Sequence, residues 1–195
     1  MTGMPARIAI VLLAGLLPVL AIAQPVRIGS KQFTESVILG EIARLAARDA
    51  GVQAVHQREL GGTRILWKAL QQGDIDAYPE YTGTLNHELL QDVPADADIA
   101  TLRARLEPLG IGITDPLGFD NTYAIGMRQD EAARLDIRRI SDLRAHPSLR
   151  LGFSNEFMDR GDGWPGLRRA YALPQTKVSG LDHVLSYRAV ASGAV

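Results

Sequence analysis

Residues 73–84 read Gly-Asp-Ile-Asp-Ala-Tyr-Pro-Glu-Tyr-Thr-Gly-Thr, and this stretch decides the fold. Gly73 follows an amphipathic helix signal and ends it, residues 75–78 are typical of a short strand, and the residues after Pro79 predict a tight turn. Hydroxyl and aromatic groups crowd that turn. A strand that ends in such a turn is typical of a ligand-binding edge in an α/β protein.

The segment before this stretch alternates strand and helix signals. Residues 26–29 and 52–56 predict strands, whereas residues 35–50 and 63–72 predict helices. Strand, helix, strand, helix, strand indicates an α/β fold with a parallel sheet. A polar loop, Gly-Ser-Lys-Gln-Phe-Thr-Glu at residues 29–35, follows the first strand, so both polar loops are expected to border one pocket.

The later part of the chain repeats this pattern. Strand signals at residues 111–114 and 122–127 surround a break at residues 115–118, and the second of them predicts an extended crossing between lobes. Further strands are predicted at residues 149–153 and 177–178, with helices at 164–171 and 182–192. We therefore expect one lobe over residues 24–117 and another over 118–195. Residues 189–195 echo residues 69–75, where a helix stops and a strand begins, which predicts a chain truncated at its C-terminus.

The N-terminus predicts an export signal. Residues 1–23 carry one charge, Arg7, ahead of an apolar run that ends in Ala-Ile-Ala, the small-residue spacing of a signal-peptidase site. The run is short for a membrane span and contains Pro18, so cleavage after Ala23 is expected rather than anchoring. The mature protein would then be periplasmic.

Composition excludes several classes of function. The chain has no cysteine, which removes disulfides, thiolate metal sites, a cysteine nucleophile and a lipid-bearing N-terminal cysteine. Loss of Arg7 with the leader changes the formal net charge from −1 to −2, so no broad basic surface is expected for nucleic acid.

Two cationic residues are candidates for binding an anion. Lys31 follows the first predicted strand, where its ammonium and the backbone N–H groups of a helix N-terminus can hold an anion. A solvated surface lysine is the alternative. Arg160 lies in a turn-rich loop, where its guanidinium can clamp a carboxylate through two parallel bonds. A salt bridge to Asp159 or Asp162 is the alternative there.

Tyrosine rings are the candidates for binding a cation. Tyr81 is followed by the hydroxyls of Thr82 and Thr84, and Tyr123 lies on the predicted crossing strand. Aromatic faces attract cations without requiring a hydrogen-bond donor, which suits a quaternary ammonium. Tyrosines that simply pack in a core are the alternative.

The sequence shows no catalytic constellation, cofactor motif or metal-ligand spacing. Ser30 and Ser154 lack the setting of a nucleophile elbow. The four histidines show neither metal-ligand spacing nor a catalytic partner, at positions His56, His87, His146 and His183.

The mature chain resembles the substrate-binding proteins of ABC importers for glycine betaine, choline, carnitine and related osmoprotectants. The similarity rests on five stretches in order, at residues 29–35, 60–63, 73–84, 121–124 and 159–166. It implies a two-lobed type II periplasmic-binding-protein fold, incomplete at its C-terminus, that clasps its ligand between the lobes. It also implies a monomeric receptor that serves an ABC permease in the inner membrane.

By position, the resemblance implies two groups of binding residues. Tyr81 and Tyr123 are the expected walls of an aromatic cage for a trimethylammonium group, and the backbone near Asn121 is expected to face the cation. The expected carboxylate clamp consists of Lys31, Thr84 and Arg160.

Three alternatives to this receptor stay open. A receptor for another zwitterion, such as an amino acid, would use the same clamp but require a hydrogen-bond acceptor for its ammonium. A hydrolase or transferase on the same scaffold would require a perturbed acid or nucleophile. A nonfunctional fragment of a receptor would lack binding altogether.

Overall fold

The computed structural model describes residues 24–90 and 92–195, so the predicted leader and its cleavage site lie outside the described residues. Its helices and strands follow one another as β1 (Val26–Gly29), α1 (Thr34–Asp49), β2 (Ala54–Gln57), α2 (Thr63–Gln72), α3 (Thr82–Thr84), α4 (Ile99–Leu106), α5 (Gln129–Arg134), β3 (Leu151–Ser154), α6 (Asn155–Asp159), α7 (Trp164–Tyr171), β4 (Val178–Leu181) and α8 (His183–Ser192). A π-helical turn (Leu85–Leu89) continues α3, and 3₁₀ turns span Glu107–Leu109 and Ile140–Ala145.

The strands form two parallel pairs. In the first sheet β1 lies beside β2, with Val26 opposite Ala54, and in the second sheet β3 lies beside β4, with Leu151 opposite Val178. Helices connect the strands of each pair, as a parallel connection requires. The predicted α/β class is confirmed.

Some predicted strands do not form as expected. Residues 75–78 contribute only a single bridge, between Ile28 and Ala77, on the side of β1 opposite β2. The strands predicted at residues 111–114 and 122–127 are wrong, because both segments are irregular. A strand requires a neighbour to pair with its backbone. Within the described residues neither segment has one.

Two separate hydrophobic clusters support the sheets. The leucine cluster is formed by buried side chains on α4 and the preceding π-helical region, namely Leu85, Leu90, Leu102 and Leu106. The aromatic cluster lies beside the second sheet and is formed by Leu143, Phe157, Trp164 and Leu173, with Phe153 packed against it. Phe153 stacks on Trp164 with ring centroids 5.3 Å apart.

Gly73 ends α2 as the sequence predicts. Its φ of 72° places it in the left-handed region, where its N–H reaches the last carbonyls of the helix. A side chain at this position would be strained. This stop turns the chain back toward β1 and so positions the loop that carries Tyr81.

The two sheets are joined by hydrogen bonds near the carboxyl ends of their strands. The backbone N–H of Thr63, at the start of α2, donates to Oε1 of Glu156 on α6 at 3.0 Å. Gly62 allows this approach, since a Cβ there would lie 2.0 Å from the other Glu156 oxygen. The boundary between lobes at residues 117 and 118 stays a prediction. Over the described residues, no helix combines the length and apolarity needed to cross a bilayer.

Candidate functional site

The polar loops that follow β1 and β3, together with the turn at residues 79–84, meet in one place. The carboxyl ends of parallel strands share an edge of their sheet, and loops from such edges commonly form binding sites. Here the edges of both sheets contribute. The site is therefore built from parts of the chain that are far apart in sequence.

Lys31 is buried rather than solvated, with 6% of the residue exposed. Its ammonium donates to Oε1 of Glu80 at 2.7 Å, and the same oxygen accepts the backbone N–H of Tyr81 at 2.9 Å. The backbone N–H of Lys31 donates to the Ser36 hydroxyl on α1. The alternative of a surface lysine is thus wrong, and the anion that Lys31 holds in this structure is a carboxylate of the protein.

Tyr81 and Asn121 share one acceptor. The Tyr81 hydroxyl donates to one carboxylate oxygen of Glu35, and the Asn121 amide donates to the other. Burial raises the pKa of Tyr81 to about 12, helped by its hydrogen bond to the Glu35 carboxylate. The ring of Tyr81 meets Phe119 edge to face, with centroids 6.4 Å apart. Glu35, in the first turn of α1, therefore fixes the orientation of the phenol.

Arg160 is also buried, with 6% of the residue exposed. Its Nε donates to Asp162 at 2.7 Å and its Nη2 bonds the second oxygen of that carboxylate, which gives a two-pronged ion pair. Its Nη1 donates to the buried Thr84 hydroxyl at 3.2 Å. The predicted alternative of a salt bridge to Asp162 is present. One guanidinium nitrogen nevertheless reaches across to the turn that carries Tyr81.

Tyr123 lies beside this pair on an irregular segment and is 59% exposed. Its ring meets Phe157 edge to face at 5.0 Å, so the aromatic cluster supports one edge of the phenol. Partial desolvation raises the pKa of its hydroxyl, Arg160 lowers it, and Glu156 raises it again. The remaining surface of the ring is free to meet a ligand.

The six sequence-predicted site residues thus fall into two neighbouring groups. Lys31, Tyr81 and Asn121 are connected through the carboxylates of Glu80 and Glu35. Thr84 and Arg160 form the second group with Tyr123 beside them. The two groups are joined where the Thr84 N–H donates to the Tyr81 carbonyl at 3.0 Å. Their roles in binding stay predictions.

A cavity of about 750 Å³ lies on the far side of the Tyr81 turn. It separates residues 75–82 from residues 109–120, and it is lined largely by apolar side chains, including Trp67, Leu106 and Leu117. It includes Glu80 and Tyr81 but not the clamp residues Lys31 and Arg160. The cavity therefore borders the candidate site on one side only.

Sequence reasoning missed a buried polar series behind Lys31. His56 Nε2 lies 2.9 Å from the Ser30 hydroxyl, and His56 Nδ1 lies 3.1 Å from Glu41. Ser30 is fully buried and its oxygen also accepts the Glu59 N–H, so no substrate can reach it. The series has the order of a catalytic triad but serves to anchor the Lys31 loop. No spacing in the sequence signals it, because the partners come from three different elements.

Within residues 24–90 and 92–195, no group of three His, Asp or Glu side chains is arranged to hold a metal ion. The polar atoms of the site instead bond one another, with two exceptions at its base. The Tyr78 hydroxyl and Oε2 of Glu80 are buried and make no hydrogen bond. Burial, followed by the charge of Glu80, raises the pKa of Tyr78.

Comparison with known proteins identifies the class to which this fold and site belong. Residues 24–195 match the family described as the substrate-binding domain of ABC-type glycine betaine transport systems, OpuAC. The chain belongs to this family.

Individual relatives agree with this assignment. The chain is 31% identical over 178 residues to the glycine betaine-binding protein YehZ of Escherichia coli, covering 85% of this chain and 57% of YehZ. It is 32% identical over 180 residues to the ergothioneine transport permease/ergothioneine binding protein EgtU of Helicobacter pylori, covering 87% of this chain and 31% of EgtU. The chain thus spans between a third and three-fifths of these relatives.

A solved structure shows the same fold. The crystal structure of a glycine betaine/carnitine/choline ABC transporter matches with a TM-score of 0.59 at 26% identity, covering 88% of this chain and 66% of that one. The two-lobed binding-protein fold predicted from the sequence is therefore supported by fold as well as by family.

Proposed function

We propose that this protein is an exported solute receptor that binds a quaternary-ammonium osmolyte, such as glycine betaine or choline, and delivers it to an ABC permease in the inner membrane. The family assignment and the similarity to YehZ support the ligand class. The printed name of EgtU joins a permease to a binding protein, which supports the partner. The apolar leader supports export to the periplasm.

The observation that carries this proposal is the meeting of two phenols and two buried cations at one site. Tyr81 and Tyr123 supply aromatic faces, to which a trimethylammonium group is attracted without any hydrogen bond. Lys31 and Arg160 lie beside them and, with the Thr84 hydroxyl, supply donors for the polar end of the ligand. An osmolyte with a permanent cation at one end fits this arrangement.

Binding without turnover follows from the same site. The one hydroxyl with a histidine partner, Ser30, is fully buried among the residues described here. Closure of the lobes would take place by bending at the irregular residues 117–121, driven by ligand contacts that exist only when both sides meet the ligand. We propose that the receptor acts as a monomer without cofactor, metal or nucleic acid.

A tyrosine variant tests the proposal directly. Tyr81→Ala removes one aromatic face, so glycine betaine or choline binding should weaken by about 1–2 kcal/mol. Isothermal titration calorimetry on the chain from Gln24 onward measures this. Tyr171→Ala, at an exposed position on α7, is the matched control and should leave the affinity unchanged. Equal affinities for the parent and the Tyr81 variant would remove Tyr81 from the site.

Glu35 supports a second candidate, a receptor for an amino acid. An amino acid has an ammonium with N–H donors, which require an acceptor, and the Glu35 carboxylate lies beside Tyr81. A titration of proline against bound betaine separates the two candidates. Displacement by proline at similar concentration would favour the amino acid, whereas failure to compete supports the quaternary ammonium.

A further inference from the structure

The charges at the proposed binding site are not balanced, and this inference rests on the function proposed above. Both cations of the site are already neutralised by carboxylates of the protein. Lys31 is paired with Glu80, and both side chains are at least nine-tenths buried. Arg160 is paired with Asp162 through two bonds. Neither cation is left to balance a further negative charge.

Two more carboxylates at the site are held by neutral donors. Glu35 accepts the Tyr81 hydroxyl and the Asn121 amide, and Glu156 accepts the backbone N–H of Thr63. Among the ion pairs of the described residues, neither Glu35 nor Glu156 has a cationic partner. Two negative charges at the site are therefore unbalanced, one beside each phenol.

The phenols register this field. Desolvation raises the pKa of Tyr123, Arg160 lowers it, and the carboxylates of Glu156 and Asp162 raise it. The rise at Tyr81 comes from burial and then from Glu35. Negative charge thus reaches the two rings that are to meet the ligand. This is the potential that attracts a cation.

We propose that the site selects ligands with a net positive charge, quaternary-ammonium alcohols of the choline type, over zwitterions that also carry a carboxylate. A cationic ligand neutralises one of the unbalanced charges. A zwitterion must bring its carboxylate into a site that already has two in excess, or displace Glu80 from Lys31 or Asp162 from Arg160. Displacement leaves a carboxylate buried without a cation, which is strongly unfavourable. Oε2 of Glu80 already lacks a hydrogen-bond partner.

Choline and glycine betaine are a matched pair for testing this proposal. They share the trimethylammonium group and differ at the other end, where choline has an alcohol and glycine betaine a carboxylate. Titration calorimetry on the chain from Gln24 onward should show choline binding about tenfold tighter or more. Equal affinity, or tighter binding of glycine betaine, overturns the charge selectivity while leaving the proposed receptor function in place. Failure of both to bind overturns the proposed function as well.

Glu35→Gln tests whether the unbalanced carboxylate is the cause. The amide keeps the shape of the side chain but removes the charge, so the preference for choline should fall by about threefold or more. Glu107→Gln, at an exposed position in the 3₁₀ turn after α4, removes a carboxylate outside the site and should leave the preference unchanged. Equal weakening of both ligands by Glu35→Gln would mean that Glu35 only orients Tyr81, and would overturn its part in selectivity.

A second variant guards against a folding defect. If far-ultraviolet circular dichroism shows that Glu35→Gln is unfolded, Glu156→Gln removes the other unbalanced charge and should lower the same preference. A choline preference that survives this change in a folded protein overturns the proposal.

Discussion

The loop after β1 and the loop after β3 have the same place in their sheets but are held in different ways. Ser30 and Lys31 follow β1 and are fixed by a buried polar series and an ion pair. Arg160 follows β3 and lies next to the aromatic cluster, which includes Phe157 and Trp164. The repeated strand–helix–strand pattern therefore conceals two means of placing a binding cation, one electrostatic and one based on apolar packing.

The partners of the two cations differ in their distance along the chain. Lys31 pairs with Glu80, which lies 49 residues away, whereas Arg160 pairs with Asp162, two residues away. The position of Lys31 therefore depends on the fold of a whole sheet, and that of Arg160 on one turn. We expect the first loop to be sensitive to changes in charge and pH, and the second to loss of core volume.

The largest expected effect is in the aromatic cluster. Trp164→Ala should lower the free energy of unfolding by about 4 kcal/mol, because it removes a buried ring that stacks on Phe153. Urea denaturation followed by circular dichroism measures this loss. The remaining tryptophan, Trp67, packs against the leucine cluster and reports separately on the first sheet by fluorescence. If Trp67 keeps its transition midpoint, the two regions unfold independently and the comparison is sharpened.

The ion pair of the first loop gives the next effect. Glu80→Gln should cost about 3 kcal/mol, because it leaves the buried Lys31 ammonium without a countercharge. The double variant Lys31→Met with Glu80→Gln should recover most of this loss, since no charge then remains buried. A double variant no more stable than the single one would show that the loop is not held electrostatically.

Acid should weaken the first loop before the second. Hydrogen bonds from Arg44 and then His56 lower the pKa of Glu41 from its ordinary value near 4.5 to about 2. A carboxyl whose pKa is depressed by folding stabilises the protein above its unfolded pKa, and this contribution is lost as the pH falls from about 4.5 toward 2. The urea midpoint should therefore fall more steeply over this range in the parent than in Glu41→Gln. Parallel curves for the two proteins would show that Glu41 has no part in acid sensitivity.

Much of the local structure could be read from the sequence. Helix α7 forms over the residues predicted for it, and Gly73 ends α2 as expected, because caps and periodicity act over a few residues. Trp67 and Trp164 were expected in the core or packed, and Trp164 is buried. The pairing of Arg160 with Asp162 was one of two stated alternatives for the same local reason.

Contacts between distant segments could not be read in this way. The ion pair of Lys31 with Glu80, the hydrogen bond of Tyr81 to Glu35 and the buried Ser30 series each join different elements. The wrong strands at residues 111–114 and 122–127 have the same origin. A strand signal states what a segment favours, but a neighbouring strand decides whether it forms.

The sequence by itself determined the α/β order, the helix limits and the set of residue types at the site, because propensity, periodicity and turn chemistry act locally. Only the tertiary structure decided which charges meet. Coulomb interactions and burial depend on distance in space, so the pairing of Lys31 and the excess of negative charge beside the two phenols emerge only when both sheets are in place.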